Sequence, residues 1–276
     1  MMNPVPILLY HSISANPPDW IATFTVSPAM FRAHLDVVVA SDRQPITVSQ
    51  LADGLQGKAP LPARPVLITA DDGFADFVEN AMPALTERKL PSTLYVTTGA
   101  LAGRVNESVL PPADMLRAAD LPGLEAAGME IGAHSHTHRQ LDLLGETQLA
   151  DDISRSRDLL ADVLGHPIRS FAYPHGYWRA KVLRLVDAAG FDSSCAVGNS
   201  LCSPRDHPLA LSRLMIRADT DASMIAAWLD GSGVGVLRPQ HRVLAYAWRQ
   251  YRRSRQFNPF VLQLLFHVEC LGAACS

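Results

Sequence analysis

Residues 66–73 have the sequence VLITADDG, an uninterrupted apolar run that ends in two acids and a glycine. Short apolar runs bounded by turn residues are typical of strands buried on both faces of a parallel sheet. Six more runs of this kind are spread along the chain. The seven predicted strands are Val5–Tyr10, Val66–Ala70, Thr93–Thr97, Met129–Ala133, Arg169–Tyr173, Phe191–Val197 and Leu214–Arg217.

Helical patterns fill the intervals between these predicted strands. Ser27 followed by Pro28 is typical of a helix N-terminus, and Gly165 and Gly190 are typical of helix ends. The other predicted helices are Ala75–Arg88, with an irregularity near Pro83, Gly145–Leu164, Trp178–Ala189 and Thr220–Leu229. The alternation of strands and helices predicts an α/β fold, a distorted (β/α) barrel of about seven parallel strands that spans residues 1–235.

Residues 236–276 differ from the rest and are predicted to form a basic C-terminal helical extension. Their charged side chains are six arginines and one acid, Glu269. Trp248, Tyr251 and the apolar run Phe260–Phe266 accompany the arginines. Two interpretations stay open. The extension is either an amphipathic helix that contacts a membrane surface or a protein partner, or a helix pair packed on the barrel with its arginines in water.

The composition excludes several classes of protein. A net charge of −3 gives no basic excess for nucleic-acid binding, and 48% hydrophobic residues argue against wholesale disorder. The N-terminus lacks the pattern of a secretory signal, so we expect a cytoplasmic protein, with peripheral contact at the inner membrane face if residues 236–276 bind there. Cys195 and Cys202 are expected to be reduced thiols, or a disulfide if the compartment is oxidising.

Asp71 and Asp72 end the predicted strand Val66–Ala70, and Gly73 lets the chain turn there. Active sites of parallel barrels lie at the carboxyl ends of the strands. At a turn both carboxylates can reach one cleft, where one can bind a metal while the other acts as a base. Taken alone, the same three residues would be assigned to an Asx turn that caps a helix.

Three histidines, His134, His136 and His138, follow the predicted strand Met129–Ala133 and indicate metal chemistry. The spacing of four residues lets His134 and His138 converge on one ion, and neutral imidazole is a common ligand of zinc-type metals. With Asp72 they would leave coordination positions for water, as catalytic sites do. His136 is either a third ligand or points away, and three solvated surface histidines are the alternative to a metal site.

A third pattern, RSFAYPHG at residues 169–176, is an apolar strand that ends in a turn. Proline and glycine on either side of His175 favour that turn at the same edge of the barrel. A turn there can offer a backbone N–H to a developing oxyanion.

Together these patterns resemble the motifs of the polysaccharide deacetylase family, also called the NodB homology or carbohydrate esterase 4 family. Thr69–Gly73 resembles its T-F-D-D-G motif, His134–His138 its H-[ST]-x-x-H motif, and Phe171–Gly176 the F-A-Y-P-Y-G form of its third motif. Leu9–His11 and Val26–Phe31 are similar to a bacterial subgroup linked to exopolysaccharide gene clusters.

The resemblance implies a metal-dependent hydrolase that removes acetyl groups from N-acetylated sugars of a glycan or a lipid-linked saccharide. Asp72, His134 and His138 would bind a divalent metal, with zinc as the first choice and cobalt, nickel or manganese as alternatives. Asp71 would be the general base, and the backbone N–H of His175 would help to hold the oxyanion.

Some positions depart from the family pattern. Ala70 replaces an aromatic residue, Ala172 stands where many relatives have an arginine that tethers the base, and His175 replaces a tyrosine. The family's late L-x-H motif, which supplies the general acid, is not evident. His11 ends the first predicted strand, and we predict it as the proton donor in preference to His207 or His175.

Other functions stay open on the same fold. An O-acetyl esterase or a cyclic-amide hydrolase would need a different pocket rather than a different metal site. A non-catalytic sugar-binding protein is the alternative outside enzymes. The expected partner is an N-acetylated saccharide.

Overall fold

The computed structural model of the chain describes residues 3–236 and 242–255. Its strands are β1 (Ile7–Tyr10), β2 (Ser12–Ile13), β3 (Thr25–Val26), β4 (Gln44–Pro45), β5 (Pro65–Ala70), β6 (Ser92–Val96), β7 (Met129–Ala133), β8 (Ser170–Ala172), β9 (Ser193–Cys195) and β10 (Leu214–Met215). Its α-helices are α1 (Pro28–Ala40), α2 (Val48–Leu55), α3 (Met82–Glu87), α4 (Leu121–Ala126), α5 (Glu146–Leu164), α6 (Ala180–Ala188), α7 (Ala222–Leu229) and α8 (Arg242–Arg255). Shorter helical turns lie at Ala22–Phe24, Phe77–Ala81, Thr98–Ala100, Ala118–Asp120, Leu141–Leu143 and Pro174–Gly176.

Seven of the described strands form one curled parallel sheet in the order β10-β1-β5-β6-β7-β8-β9. Strand β4 pairs with β5 beside this path, and β2 pairs with β3 in a separate small sheet. The two ends of the sheet meet through a parallel bridge between Cys195 and Leu211, just before β10. The predicted distorted (β/α) barrel of seven parallel strands is therefore confirmed.

The seven predicted strands are all confirmed, with ends that differ by at most two residues. Helix α1 begins as predicted, since the Ser27 hydroxyl accepts from the Met30 N–H. The irregularity expected near Pro83 is a wide helical turn at Phe77–Ala81 that runs into α3. Helix α5 ends at Gly165, which has a left-handed φ of 76°. Strands β2, β3 and β4 and helices α2 and α4 were not predicted.

Alternate residues along the strands belong to two separate cores. Ile68 and Ala70 of β5 lie in the core cluster that contains the outer helices, whereas Leu67 packs with Tyr95 and Ala172 in a second cluster. Because neighbouring strand residues point to opposite faces, the second cluster fills the barrel interior. Thr69 and Asp71 lie two and four residues after Leu67, so their side chains are on the same face as Leu67. Asp71 therefore points toward the barrel interior.

Helix α2 closes the amino-terminal end of the barrel. Its Val48 and Leu51 belong to the interior cluster. The Val48 N–H donates to the Thr93 hydroxyl near the start of β6, and the Ser49 N–H donates to the Glu130 carboxylate on β7. Helix α2 thus covers the amino-terminal end of the interior cluster.

Cys195 and Cys202 are both buried free thiols, so the disulfide alternative is not found in this structure. Within residues 3–236 and 242–255, no helix is both long enough and apolar enough to cross a bilayer. Helix α8 falls in the predicted basic extension. Residues 237–241 and 256–276 of that extension, including Phe260–Phe266, lie outside the described residues, and the domain boundary at 235 stays a prediction.

Candidate metal and catalytic site

The side chains singled out from the sequence lie at the carboxyl edge of the sheet. His11 follows β1, the two acids follow β5, His134 follows β7 and His175 follows β8. Asp72 has a left-handed φ of 74° and Gly73 one of 88°, so the chain reverses sharply directly after the strand. This turn leaves Asp71 directed into the barrel and Asp72 directed to the neighbouring histidines.

Asp72, His134 and His138 form a three-residue cluster suited to a metal ion. One carboxylate oxygen, Oδ1 of Asp72, is 3.0 Å from Nε2 of His138 and 3.4 Å from Nε2 of His134. The three ligand atoms lie within 4.8 Å of one another, and all three residues are buried. In the described part of the chain this is the one cluster of its kind.

The segment that carries the two histidines is shaped by backbone strain and by an acid on α5. Ser135 and His138 have left-handed φ angles of 61° and 57°, and the Ser135 hydroxyl accepts from the His138 N–H. Asp152 of α5 accepts from the N–H of His136 and from both the N–H and the hydroxyl of Thr137. Strained residues of this kind are common at functional sites, where the surrounding bonds hold them.

His136 points away from the cluster. Its Nδ1 is 2.8 Å from the Thr98 hydroxyl, and its Nε2 is 3.4 Å from a carboxylate oxygen of Glu107. The structure thus places His136 against the loop after β6 rather than in the ligand set.

The electrostatics of the cluster also suit a cation. Burial alone would raise the pKa of Asp72, but the nearby His138 and His134 imidazoles hold that pKa well below its usual value. Burial lowers the pKa of His138 to about 4, so its ring is neutral at pH 7 and can act as a ligand. Nδ1 of His134 lies 2.9 Å from the carbonyl oxygen of Ala172, which orients the ring with Nε2 toward Asp72.

The donor set fits a divalent metal. Oδ1 of Asp72 is buried and, among the described residues, has no partner in hydrogen-bond geometry even though two imidazole nitrogens face it. A buried carboxylate oxygen normally has its hydrogen-bonding capacity satisfied. Two histidines and one carboxylate are the ligands of many catalytic zinc sites.

Asp71 is held by a residue that the motifs did not reveal, Arg213. The guanidinium makes two parallel hydrogen bonds of 2.7 Å to the two carboxylate oxygens of Asp71. Arg213 is completely buried and also donates to the Ala196 carbonyl and the Thr69 hydroxyl. Burial would raise the pKa of Asp71, but Arg213 and then His134 outweigh it and lower that pKa. Asp71 is therefore an oriented anion beside the metal cluster.

Arg213 binds Asp71, whereas Ala172 has no side chain that could do so. Arg213 precedes β10, and β10 is separated from β5 in the sheet only by β1. The one signal in the sequence is an arginine inside a run from Leu209 to Ile216 that is apolar apart from Ser212. A buried arginine in such a run needs an acid.

The candidate proton donors differ in position. His11 is coupled electrostatically to Asp72 and Asp71, which oppose the lowering of its pKa by burial. His207 is exposed in a turn where its Nδ1 accepts from the Leu209 N–H. The His175 ring lies 4.9 Å from the His138 ring, in a turn where His175 has a left-handed φ of 59°. The structure thus brings His11 and His175 to the site and leaves His207 outside it.

Comparison with known proteins identifies relatives of the chain. A poly-beta-1,6-N-acetyl-D-glucosamine N-deacetylase of Staphylococcus aureus is 23% identical over 217 residues, covering 75% of this chain and 73% of that protein. A Streptococcus pyogenes deacetylase, PplD, in complex with acetate has a TM-score of 0.72 at 21% identity, and IcaB from Ammonifex degensii has 0.71 at 23%. Both structures cover 82% of this chain and 97% of their own, and at such identities they establish a shared fold.

The family model described as polysaccharide deacetylase matches residues 58–194. The matched segment contains both acids, the two histidines of the metal cluster and His175, whereas His11 and Arg213 lie outside it. The chain is thus similar to the polysaccharide deacetylase family over residues 58–194, and the motifs of this family converge at one edge of the fold.

Proposed function

We propose that this protein is a metal-dependent hydrolase that removes N-acetyl groups from N-acetylated sugars of a glycan or a lipid-linked saccharide. The observation that carries the proposal is the different environment of two adjacent acids. Asp72 faces two imidazoles, while Asp71 is held by Arg213 beside them. One acid can bind the metal while the other stays available for proton transfer.

Asp72, His134 and His138 would hold a divalent metal, which would act as a Lewis acid by lowering the pKa of water and polarising the amide carbonyl. We propose zinc as this metal, since nitrogen and carboxylate ligands suit it. Cobalt, nickel and manganese are the alternatives that a metal analysis has to distinguish.

Asp71 is the proposed general base. Its lowered pKa keeps it ionised at neutral pH, and the paired bonds from Arg213 fix both of its oxygens. The proton that it takes from the attacking water balances the proton that the leaving amine gains. His11 is the proposed donor to that amine, because it directly follows β1 at the same carboxyl edge of the sheet as Asp71 and Asp72.

The turn Pro174–Gly176 is the proposed oxyanion site. The Gly176 N–H donates to the Tyr173 carbonyl, which sets the direction of the peptide groups in the turn. The backbone N–H of His175 is the proposed donor to the oxygen on which charge develops. A donor of this kind is worth roughly 10²–10³ in kcat in well-studied enzymes.

The test is acetate release by the full chain, loaded with each candidate metal, from N-acetylglucosamine oligomers, a lipid-linked N-acetyl sugar, O-acetylated sugars and a cyclic amide. We expect turnover on the N-acetylated sugars together with one tightly bound divalent metal. Asp71→Asn is the matched control, and it should keep the metal but lose about 10²–10⁴ in kcat. Preferred turnover of the O-acetylated sugars or the cyclic amide would replace this proposal by the corresponding activity. Metal at background levels would leave only a sugar-binding role.

A further inference from the structure

Helix α8 lies against the rim of the candidate active site. The indole N–H of Trp248 donates to the Tyr177 hydroxyl at 3.1 Å. The guanidinium carbon of Arg252 lies 3.7 Å from the centre of the Tyr177 ring. Tyr177 directly follows the turn Pro174–Gly176, so α8 contacts the segment that carries the proposed oxyanion site.

The same arginine also binds the segment after the metal-binding histidines. Arg252 makes bonds of 3.0 and 2.7 Å to the two carboxylate oxygens of Asp142, and a bond of 2.9 Å to the Gln140 side chain. Asp142 is four residues after His138 in the sequence. Arg252 thus joins the segment after β7 to the segment after β8.

The burial of Arg252 distinguishes it from its neighbours on α8. It is 4% exposed, whereas Arg253 and Tyr246 are exposed. Taking a guanidinium and a carboxylate out of water has a large desolvation cost, which only good geometry and full hydrogen bonding offset. The contact with Asp142 has bidentate geometry, and the two terminal nitrogens of Arg252 are hydrogen-bonded, although its buried Nε has no partner among the described residues. These bonds dock the helix at a defined position.

Ring contacts lead from Arg252 to a metal-binding residue. The Tyr177 ring is nearly parallel to the His175 ring, with centres 6.2 Å apart, and His175 contacts His138. On the other side the turn is confined, because a Cβ at Gly176 would lie 2.6 Å from Val197. A shift of Tyr177 would therefore be transmitted to His175, whose φ is already strained.

We propose that Arg252 is a positioning residue, which clamps the segments after β7 and β8 together and thereby holds the turn at His175 in its active geometry. This inference rests on the proposed deacetylase function for its kinetic readout only. It assigns α8 to the catalytic machinery of this chain, although α8 lies beyond the segment matched by the family model.

The test compares Arg252→Gln with Arg253→Gln in the full metal-loaded chain. Arg253 is the next residue on the same helix and is exposed, so its substitution removes the same charge without touching the clamp. For Arg252→Gln we expect kcat to fall about tenfold with KM within about twofold, because misplacement of a donor acts on the transition state. Amide hydrogen exchange should become about tenfold faster at residues 173–179, as expected for a locally loosened segment. Arg253→Gln should change neither quantity.

Two results would overturn the proposal. One is wild-type exchange at residues 173–179 in Arg252→Gln, and the other is faster exchange there with an unchanged kcat. If Arg252→Gln does not fold, Arg252→Lys replaces it, since a lysine keeps the charge but cannot make the paired bonds to the Asp142 carboxylate. Unchanged exchange at 173–179 in that variant would also overturn the clamp. If the wild-type chain releases no acetate, the proposed function fails, while the exchange data still decide whether α8 holds the turn.

Discussion

Substitution of Arg213 by methionine tests whether Asp71 depends on its buried partner. Methionine fills a similar volume but removes the positive charge and every donor. The substitution leaves Asp71, which is 3% exposed, without its bidentate partner, and it leaves the Ala196 carbonyl without the bond from the Arg213 side chain.

The expected loss follows from these contacts. Removing one partner of a buried ion pair is worth about 3–5 kcal/mol, because the remaining charge is uncompensated. The lost bond to Ala196 adds about 1 kcal/mol. The guanidinium also lies 5.5 Å from the centre of the Tyr95 ring. A cation at that distance contributes about 0.5–1 kcal/mol or more. We expect Arg213→Met to lower the free energy of unfolding by about 5 kcal/mol.

The assay is urea unfolding at pH 7 with chelator present, so that metal binding does not contribute. Asp71→Asn and the double variant complete a cycle, in which we expect a coupling of about 2–3 kcal/mol, at the high end for residues in contact. Arg217→Met is the matched control. It removes a half-exposed arginine that has no ion pair within the described residues, and should change stability by less than about 1 kcal/mol.

Additive effects of Arg213→Met and Asp71→Asn would refute this reasoning. So would a loss in Arg213→Met no larger than the loss in Arg217→Met. Either result would mean that the two charges are hydrated or satisfied elsewhere, and Asp71 would then lack the fixed orientation required of a base.

Three further predictions concern the metal, the proton donor and the partly buried acid Asp76. His138→Ala should lower divalent metal content to background at equal protein concentration, measured by elemental analysis, and full occupancy would remove His138 from the ligand set. His11→Ala should lower kcat at least about 10²-fold while His207→Ala leaves it unchanged, as expected if only His11 transfers a proton; full turnover of His11→Ala would contradict the assignment. Burial raises the pKa of Asp76 to about 6, so this acid binds a proton more tightly in the folded chain and its contribution to stability falls as pH rises from about 4 to 6. Asp76→Asn should therefore raise the free energy of unfolding at pH 7 by up to about 3 kcal/mol, with no gain at pH 4, and equal urea midpoints at pH 7 would show that the carboxyl is not destabilised.

The strands of the barrel were predictable because each is a short apolar run with helical sequence on either side. Strands β2, β3 and β4 were missed because each has two residues, too few for any periodicity. Helix α2 did carry a readable signal, the capping box formed by Thr47 and Gln50. Its place at the amino-terminal end of the barrel depends on bonds to Thr93 and Glu130, which no local pattern contains.

For the C-terminal arginines, the sequence did not allow us to predict which side chain would be buried. Neither of the two interpretations anticipated that one arginine of α8 would be buried while the next is exposed. Helical periodicity places Arg249, Arg252 and Arg253 close together but does not say which of them meets an acid. That depends on Asp142, which is 110 residues away and is brought to α8 by the barrel.

The residues of the candidate site also fall into two groups, those that could be predicted from the sequence and those that could not. Residues that follow their own strand, such as Asp72, His134 and His175, could be placed at the carboxyl edge from the strand pattern alone, because parallel strands share that edge. Arg213 could not, since its contact with Asp71 spans 142 residues and depends on β1 lying between β5 and β10. The need for a buried cation near Asp71 could still have been predicted on physical grounds. An acid at the end of a buried strand, directed into an apolar barrel, needs a cation within hydrogen-bond reach. An arginine within the mostly apolar run from Leu209 to Ile216 likewise needs an acid. A buried acid at one strand end can therefore be matched with a buried arginine at another strand end. This rule can be used to find the arginine that holds the acid in relatives whose third motif lacks one.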